Sequence, residues 1–210
     1  MIVGLGSGTT ARYFVEGLGR RVSEGLMVTG VPTSRTTADL ARFVGIPLTD
    51  DVPNGIDVAV DGADEIDPDL QLVKGRGGAL VREKLVAAAA RRFIVIADDS
   101  KLVSRLGVGP LPVELLPFLR EQTQRRLEAI GASCQLRDGP SGPFVTDNGN
   151  VIVDLGFSQP LADPREMATR LKQTLGVVDH GIFIDLADAC VIASEAGVTV
   201  MESKDRAAVR

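Results

Sequence analysis

The feature that most constrains this chain is a series of short, predominantly apolar segments, most of them leading through a small-residue or charged loop into a helix pattern. The segments are residues 1–5, 26–31, 56–60, 70–73 and 93–97. A strand with one buried face alternates apolar and polar residues. A strand apolar throughout is covered on both faces, which is the condition of a parallel sheet between helix layers. Between the segments, Ala11, Phe14, Val15 and Leu18 fall at helical spacing, as do Ala38, Leu40, Ala41 and Val44, and residues 79–92 continue the pattern. The first half of the chain is therefore expected to be a Rossmann-like α/β domain.

The rhythm changes near Gly107. Pro110, Pro112 and Pro117 cluster there, which is the composition of a boundary. A helix is expected over 118–130, a strand over 134–137, a turn over 138–143, and a hairpin over 145–154 around Asn148-Gly149. Asp163, Pro164 and Glu166 form a helix start, with the Asp as cap, the Pro at the first position and the Glu at the third. Residues 177–178 and 182–184 are strand-like, and 189–193 and 198–201 are apolar strands that return to the first sheet. The expected organisation is a Rossmann-like catalytic domain, 1–107 plus 187–210, with a smaller inserted α+β, ferredoxin-like subdomain over 108–186.

Composition narrows the function classes. Lys and Arg number 23 against 28 Asp and Glu, a net charge of −5, with no Trp and one Tyr, so the chain has neither the basic footprint nor the stacking aromatics of a nucleic-acid binder. No apolar run approaches the roughly 20 residues that cross a bilayer, and the opening MIVGLGSGTT has no basic n-region of a signal peptide. Cys134 and Cys190 lie far apart with no Cys-x-x-Cys spacing, and are read as small buried hydrophobes. A reduced, cytoplasmic protein is expected, with no membrane or nucleic-acid partner.

Four stretches carry candidate chemistry, each at the end of an apolar segment, where open parallel sheets bind ligands. Ser7, Gly8, Thr9 and Thr10 lie between a strand and a helix, where open N–H groups and hydroxyls suit a phosphate. No Gly-Lys-Ser/Thr follows, and Thr9 stands where a dinucleotide fingerprint has its last Gly. A tight, Thr-capped turn would look the same. Asp61-Gly62-Ala63-Asp64-Glu65 is either a solvated acidic turn or part of a polar site, and no further oxygen ligand at recognisable spacing supports a metal. Lys74-Gly75-Arg76-Gly77-Gly78 precedes Glu83 on a helix. A carboxylate with an ammonium nearby is what proton abstraction beside a carbonyl requires, one taking the proton and the other facing the oxyanion. Glu83 in exposed ion pairs is the structural alternative. Asp99-Ser100-Lys101 ends the next strand. His180, the single histidine, has no nucleophile motif beside it.

Taken in order, the GlyLeuGlySerGlyThrThr loop at 4–10, AspGlyAlaAspGlu at 61–65, LysGlyArgGlyGlyAla and ArgGluLys within 74–84, AspSerLys at 99–101, LeuProValGlu at 111–114 and ThrAspAsnGlyAsn at 146–150 resemble the type A ribose-5-phosphate isomerases over nearly the whole chain. The resemblance implies an aldose–ketose isomerase that needs no metal or other cofactor, binds a small sugar phosphate, and forms a homodimer or homotetramer. It implies Glu83 as general base and Asp61, Asp64 and Lys74 around the reacting carbons. Ser7, Gly8, Thr9, Thr10 and Lys101 would hold the phosphate or sugar, with Gly75, Arg76, Gly77 and Gly78 lining the substrate. Arg76 stands where many relatives carry Gly; its guanidinium would offset the 61–65 carboxylates or face solvent. The family also carries a helix with a phosphate-binding Lys ahead of the first strand, so either the coding start lies upstream or phosphate is held without that Lys. Sugar-phosphate sensor domains of DeoR-type regulators resemble the same fold, but carry a helix-turn-helix and should lack the ThrAspAsnGlyAsn segment.

Overall fold

The computed structural model describes residues 1–203. In chain order the strands are β1 (Ile2–Leu5), β2 (Thr29–Pro32), β3 (Val58–Asp61), β4 (Glu65–Ile66), β5 (Leu72–Val73), β6 (Phe93–Asp98), β7 (Leu111–Leu115), β8 (Ser133–Leu136), β9 (Asp138–Gly139), β10 (Gly142–Pro143), β11 (Val151–Gly156), β12 (Val177–His180), β13 (Ile182–Phe183), β14 (Ala189–Ser194) and β15 (Gly197–Glu202). The helices are α1 (Gly8–Ser23), α2 (Arg35–Phe43), α3 (Leu80–Ala89), α4 (Arg120–Glu128) and α5 (Pro164–Gln173). Two compact units divide the chain. Residues 1–63, 82–101 and the described chain from 185 onward form the first, and 64–81 with 102–184 form the second.

The first unit is built on a six-stranded sheet in the order β15-β14-β6-β3-β1-β2. The five strands from β14 to β2 are parallel, and β15 closes one edge antiparallel. Val3, Leu5, Val15, Val28, Ala41 and Ile46 form a core between β1, α1 and α2. Four of the five apolar segments, 1–5, 26–31, 56–60 and 93–97, supply strands of this α/β sheet as expected; the fifth, 70–73, does not and forms β5 in the second unit. The parallel arrangement of the sheet puts the ends of β1, β3 and β6 on one edge, so the Gly6–Thr10 loop, Asp61 and the Asp99–Lys101 turn emerge on the same side.

The second unit contains β7-α4-β8-β11-α5-β12. Its sheet has the order β12-β7-β11-β8 with every pairing antiparallel, which is the ferredoxin-like arrangement. Leu111, Val113, Leu115, Val151, Val153 and Leu155 point to one face and pack with Leu127 of α4 and Leu171 of α5. Strand alternation sends Glu114 and Asp154 to the other face.

Three sequence expectations change here. The proline cluster reads as a boundary, yet β7, with Pro112 inside it, is an inner strand whose five residues are all buried. The alternation of Leu111, Val113 and Leu115 into the core outweighs the proline. The expected break at 107/108 also moves: β4 and β5 pair with β13, and Val103 N–H donates to the Ile66 carbonyl, so 64–81 and 102–107 lie with the second unit. In place of the hairpin over 145–154, Val145 and Val151 form a single bridge. The intervening turn closes on buried Glu114, whose Oε1 accepts from Thr146 Oγ1 at 3.0 Å, Asn148 Nδ2 at 3.1 Å and Asn150 Nδ2 at 2.7 Å.

Both cysteines are free; Cys190 is buried, and burial pushes the half-buried Cys134 thiol up to about 11. Among the described residues no helix is long and apolar enough to cross a membrane.

Candidate active site

In the first unit, the end of β1 and the end of β3 approach so closely that a Cβ on Gly6 would lie 2.2 Å from Asp61 Oδ1, so only glycine fits there. The approach delivers two backbone donors to that oxygen: Ser7 N–H at 3.0 Å and Gly62 N–H at 2.7 Å. Asp61 is thereby buried and fixed in orientation. Ser7 occupies the cap position of α1 but makes no side-chain cap bond. Its hydroxyl instead joins Thr33 at 2.7 Å, Ser34 at 2.8 Å and Thr37 at 3.2 Å, a hydroxyl cluster at the start of α2. The first N–H groups of α1 are left without a side-chain cap, the condition in which a helix start accepts an anion. Gly8 and Thr9, with Arg12, Ser34, Thr36 and Thr37, line a cavity of about 240 Å³ beside that start. Thr10 is half-buried near Gly62.

Glu83 sits in the first turn of α3 and is 5% exposed. That burial excludes the reading of Glu83 as an exposed ion-pair residue. At the end of β6, the Ser100 hydroxyl and N–H both donate to Asp98 and hold its carboxyl below the ordinary value. The turn they shape carries Lys101, which is half-buried.

In the second unit, Lys74 follows β5 and is 3% exposed. Its N–H donates to the Gly181 carbonyl at 2.8 Å, and its ammonium lies 5.6 Å from the centre of the Phe183 ring. Asp64 is tied to the loop that follows Lys74: its N–H donates to the Val73 carbonyl at 2.8 Å, and its Oδ2 accepts the Arg76 N–H at 2.9 Å. Gly75 holds a φ of +96°, and a Cβ there would lie 2.4 Å from Leu80 Cβ. Gly77 is exposed, and Gly78 is buried against the Phe144 ring. The Arg76 side chain turns to Glu65, with Nη2 2.6 Å from Oε1. Of the two orientations open in the sequence, the structure has the one facing a carboxylate of the 61–65 segment.

Within each unit the structure thus joins Ser7 to Asp61, and Asp64 to the 74–76 loop. Sequence reasoning missed the hydroxyl cluster of Thr33, Ser34 and Thr37, for which the Ser-x-x-Thr cap at 34–37 is the available signal: Ser34 Oγ accepts the Thr37 N–H at 3.1 Å. It also missed Arg137 and Asp154, which no local pattern marks. Among the described residues no group of three or more His, Cys, Asp and Glu side chains is placed to hold a metal ion.

A parallel sheet that presents a fixed buried carboxylate next to an uncapped helix start is the site of an α/β enzyme acting on a small, anionic, hydroxyl-bearing substrate. The comparisons narrow this class. The family model described as ribose 5-phosphate isomerase A (phosphoriboisomerase A) matches residues 29–197. A ribose-5-phosphate isomerase A of Thermomicrobium roseum is 52% identical over 96% of this chain and 86% of its own length, and one of Methanothermobacter thermautotrophicus is 49% identical over 95% and 89%. Among solved structures, the ribose 5-phosphate isomerase from Plasmodium falciparum superposes with a TM-score of 0.93 at 42% identity, covering 97% of this chain and 91% of that one. A D-ribose-5-phosphate isomerase in complex with phospho-erythronic acid does so at 0.92 and 42%, covering 96% and 90%. The chain belongs to the ribose 5-phosphate isomerase A family.

Proposed function

We propose that this chain interconverts ribose 5-phosphate and ribulose 5-phosphate through an enediolate, with Glu83 as the general base. The observation that carries the reading is the burial of Asp61, Lys74 and Glu83, at 3%, 3% and 5% exposure, in a chain of this family. Ionisable groups are costly to bury and are retained where chemistry uses them.

The reaction moves a proton from C2 of the aldose to C1 of the ketose. One carboxylate on one face of the enediolate suffices: Glu83 takes the proton from C2 and returns it to C1. The Lys74 ammonium faces the oxyanion that forms at the carbonyl oxygen. Asp61 or Asp64 passes the hydroxyl proton between O1 and O2; the two amides on Asp61 Oδ1 hold that carboxylate in one orientation. The Ser7 N–H expected on the phosphate is instead held by Asp61, so the N–H groups of Gly8 to Thr10, with the Thr hydroxyls and Lys101, bind the phosphate. That binding positions the reacting carbons, so part of it appears in kcat.

The protein is assigned to the cytoplasm as a homodimer or homotetramer. Two free cysteines suit a reducing compartment. Exposed Leu116, Phe118, Leu119 and Leu175, gathered where the Leu116 N–H donates to the Gly176 carbonyl, suit a face covered by another copy. Light scattering of the purified protein measures the assembly. The activity is tested by following ribulose 5-phosphate formation from ribose 5-phosphate in the presence of EDTA. Turnover is expected; its absence in folded protein overturns the reading, and loss on chelation with recovery on adding Mg²⁺ or Zn²⁺ overturns the metal-independent mechanism.

A further inference from the structure

We infer that Arg137 is a positioning residue for the isomerisation, gripping the loop after Lys74 through its backbone carbonyls and so orienting Asp64. The inference rests on the isomerase reading above.

The loop is Lys74-Gly75-Arg76-Gly77-Gly78. Three glycines in five residues make it expensive to order, because glycine loses more conformational freedom than any other residue. Gly75 and Gly78 hold φ values of +96° and +92°. One turn bond closes the loop from within, Gly78 N–H to the Gly75 carbonyl at 2.9 Å; the rest of its shape depends on what grips the backbone from outside.

Arg137 is that grip. It follows β8 on the sheet, and its guanidinium is clamped by Asp154 of β11, with Nε 2.8 Å from Oδ2 and Nη2 2.5 Å from Oδ1. The bidentate pair fixes the guanidinium plane. Nη1, on the free side of the fork, donates to the Arg76 carbonyl at 2.9 Å and reaches the Gly75 carbonyl at 3.4 Å. The ring of Phe144 lies 5.8 Å from the guanidinium carbon and also packs against Gly78. The side chains of Arg137 and Asp154 are only 15% and 23% exposed, so water screens the arrangement weakly.

The peptide between Gly75 and Arg76 joins this grip to the reacting groups. Its oxygen accepts the Gly78 N–H at 2.9 Å and lies 3.4 Å from Arg137 Nη1, and its N–H donates to Asp64 Oδ2 at 2.9 Å. A cation on the oxygen side and a carboxylate on the N–H side polarise one peptide in the same sense, so each hydrogen bond strengthens the other. The Asp64 carboxylate is thus oriented by a charge it does not touch. Lys74, immediately before the gripped peptide, has its N–H fixed on Gly181 and depends on the same loop for its direction.

The test compares Arg137→Ala, Arg137→Lys and, as a control destabilised in the same unit away from the loop, Leu127→Ala. Each is assayed for kcat and KM with ribose 5-phosphate, well below its melting temperature and per folded molecule. Lysine keeps the charge but cannot hold Asp154 with two donors and the carbonyls with a third. The expected result is a kcat lowered about 10- to 100-fold in both Arg137 variants, a KM changed less than about three-fold, faster hydrogen exchange at the Arg76 amide, and partial recovery of Arg137→Ala by methylguanidinium. Leu127→Ala is expected to keep kcat per folded molecule. An Arg137→Lys protein with wild-type kcat, or Arg137 variants that lose activity only in proportion to folded protein as the control does, overturns the inference. A folded wild type with no activity on ribose 5-phosphate overturns the isomerase reading instead.

Discussion

Arg76 and Glu65 form an ion pair 2.6 Å long in which the carboxylate, 4% exposed, is the fixed partner and the guanidinium, 31% exposed, the peripheral one. Glu65 also accepts the N–H groups of Gly107 at 2.7 Å, Val108 at 3.3 Å and Gly109 at 2.7 Å. A Cβ on Gly109 would lie 2.3 Å from Arg76 Nη2. One buried carboxylate therefore organises the 107–109 turn, with Arg76 as its lid.

This asymmetry predicts unequal costs. Glu65→Ala leaves amides and a guanidinium without their shared acceptor, and is expected to cost about 3–5 kcal/mol, in the range of a broken buried pair. Arg76→Met leaves the carboxylate with its amide donors and removes the short bond to Glu65 together with a longer, exposed one from Nε to the Pro110 carbonyl, so about 1.5–3 kcal/mol is expected. Because the Arg76 side chain is engaged with Glu65, KM for ribose 5-phosphate should stay within about three-fold in Arg76→Met. Thermal unfolding and steady-state kinetics check both. Equal destabilisation, or a KM raised ten-fold, would contradict the assignment.

What the sequence made legible follows from how local each signal is. The doubly apolar strands revealed the parallel sheet, and the glycine and carboxylate motifs at 6–10, 61–65 and 74–83 could be read because each is one continuous stretch. β4 and β5, two residues each, are too short to show a period of two, so their union with β13 and the resulting unit boundary were not visible. Pro112 argued against the strand that β7 proves to be. Arg137 reaches its carbonyls across 61 and 62 residues of chain, and nothing near it in sequence distinguishes it from any surface arginine.

The Gly6–Thr10 loop carries two kinds of hydroxyl. Thr10 is assigned to the phosphate, whereas the Ser7 hydroxyl is committed to Thr33, Ser34 and Thr37. Thr10→Ala should therefore reduce turnover of ribose 5-phosphate far more than turnover of unphosphorylated ribose, because the lost interaction exists only with the phosphate. Ser7→Ala should lower the melting temperature, by about 2–4 °C per kcal/mol lost, and should affect both substrates alike. Equal losses on the two substrates in Thr10→Ala would remove the phosphate from this loop.

Asp67 gives the fold a pH dependence of unusual sign. Burial raises its pKa above the ordinary value, partly offset by N–H bonds from Gln71 and Asp69. The folded state then holds this proton more tightly than the unfolded chain, so the group's contribution to stability is full below the unfolded value of about 3.9 and is lost as pH rises through the folded value. Asp67→Asn keeps an oxygen for both amides and removes the charge. At pH 7 the variant should melt at or above the wild-type temperature, with the difference shrinking toward pH 3. A variant less stable than wild type at pH 7 would show that the charged carboxylate is favoured.

Glu83 carries the sharpest prediction. It lies in the first turn of α3, where the partial positive charge of the helix start favours a carboxylate, yet it is 5% exposed, so its charge is shielded from water. A base so placed has little solvent competing for it. Glu83→Gln preserves size and one acceptor oxygen while removing basicity, and should lower kcat by about 10²–10⁴-fold, the usual contribution of a positioned general base. Ribose 5-phosphate should still bind if the phosphate sits at the start of α1 as proposed, so KM should move far less than kcat. In D₂O the wild type should place deuterium at C1 of ribulose 5-phosphate to the extent that the protonated base exchanges before returning its proton. A folded Gln variant with near-normal kcat would rule out Glu83 and leave Asp61 or Asp64 as the base. A variant that binds no substrate and melts early would instead show that the buried carboxylate serves the fold.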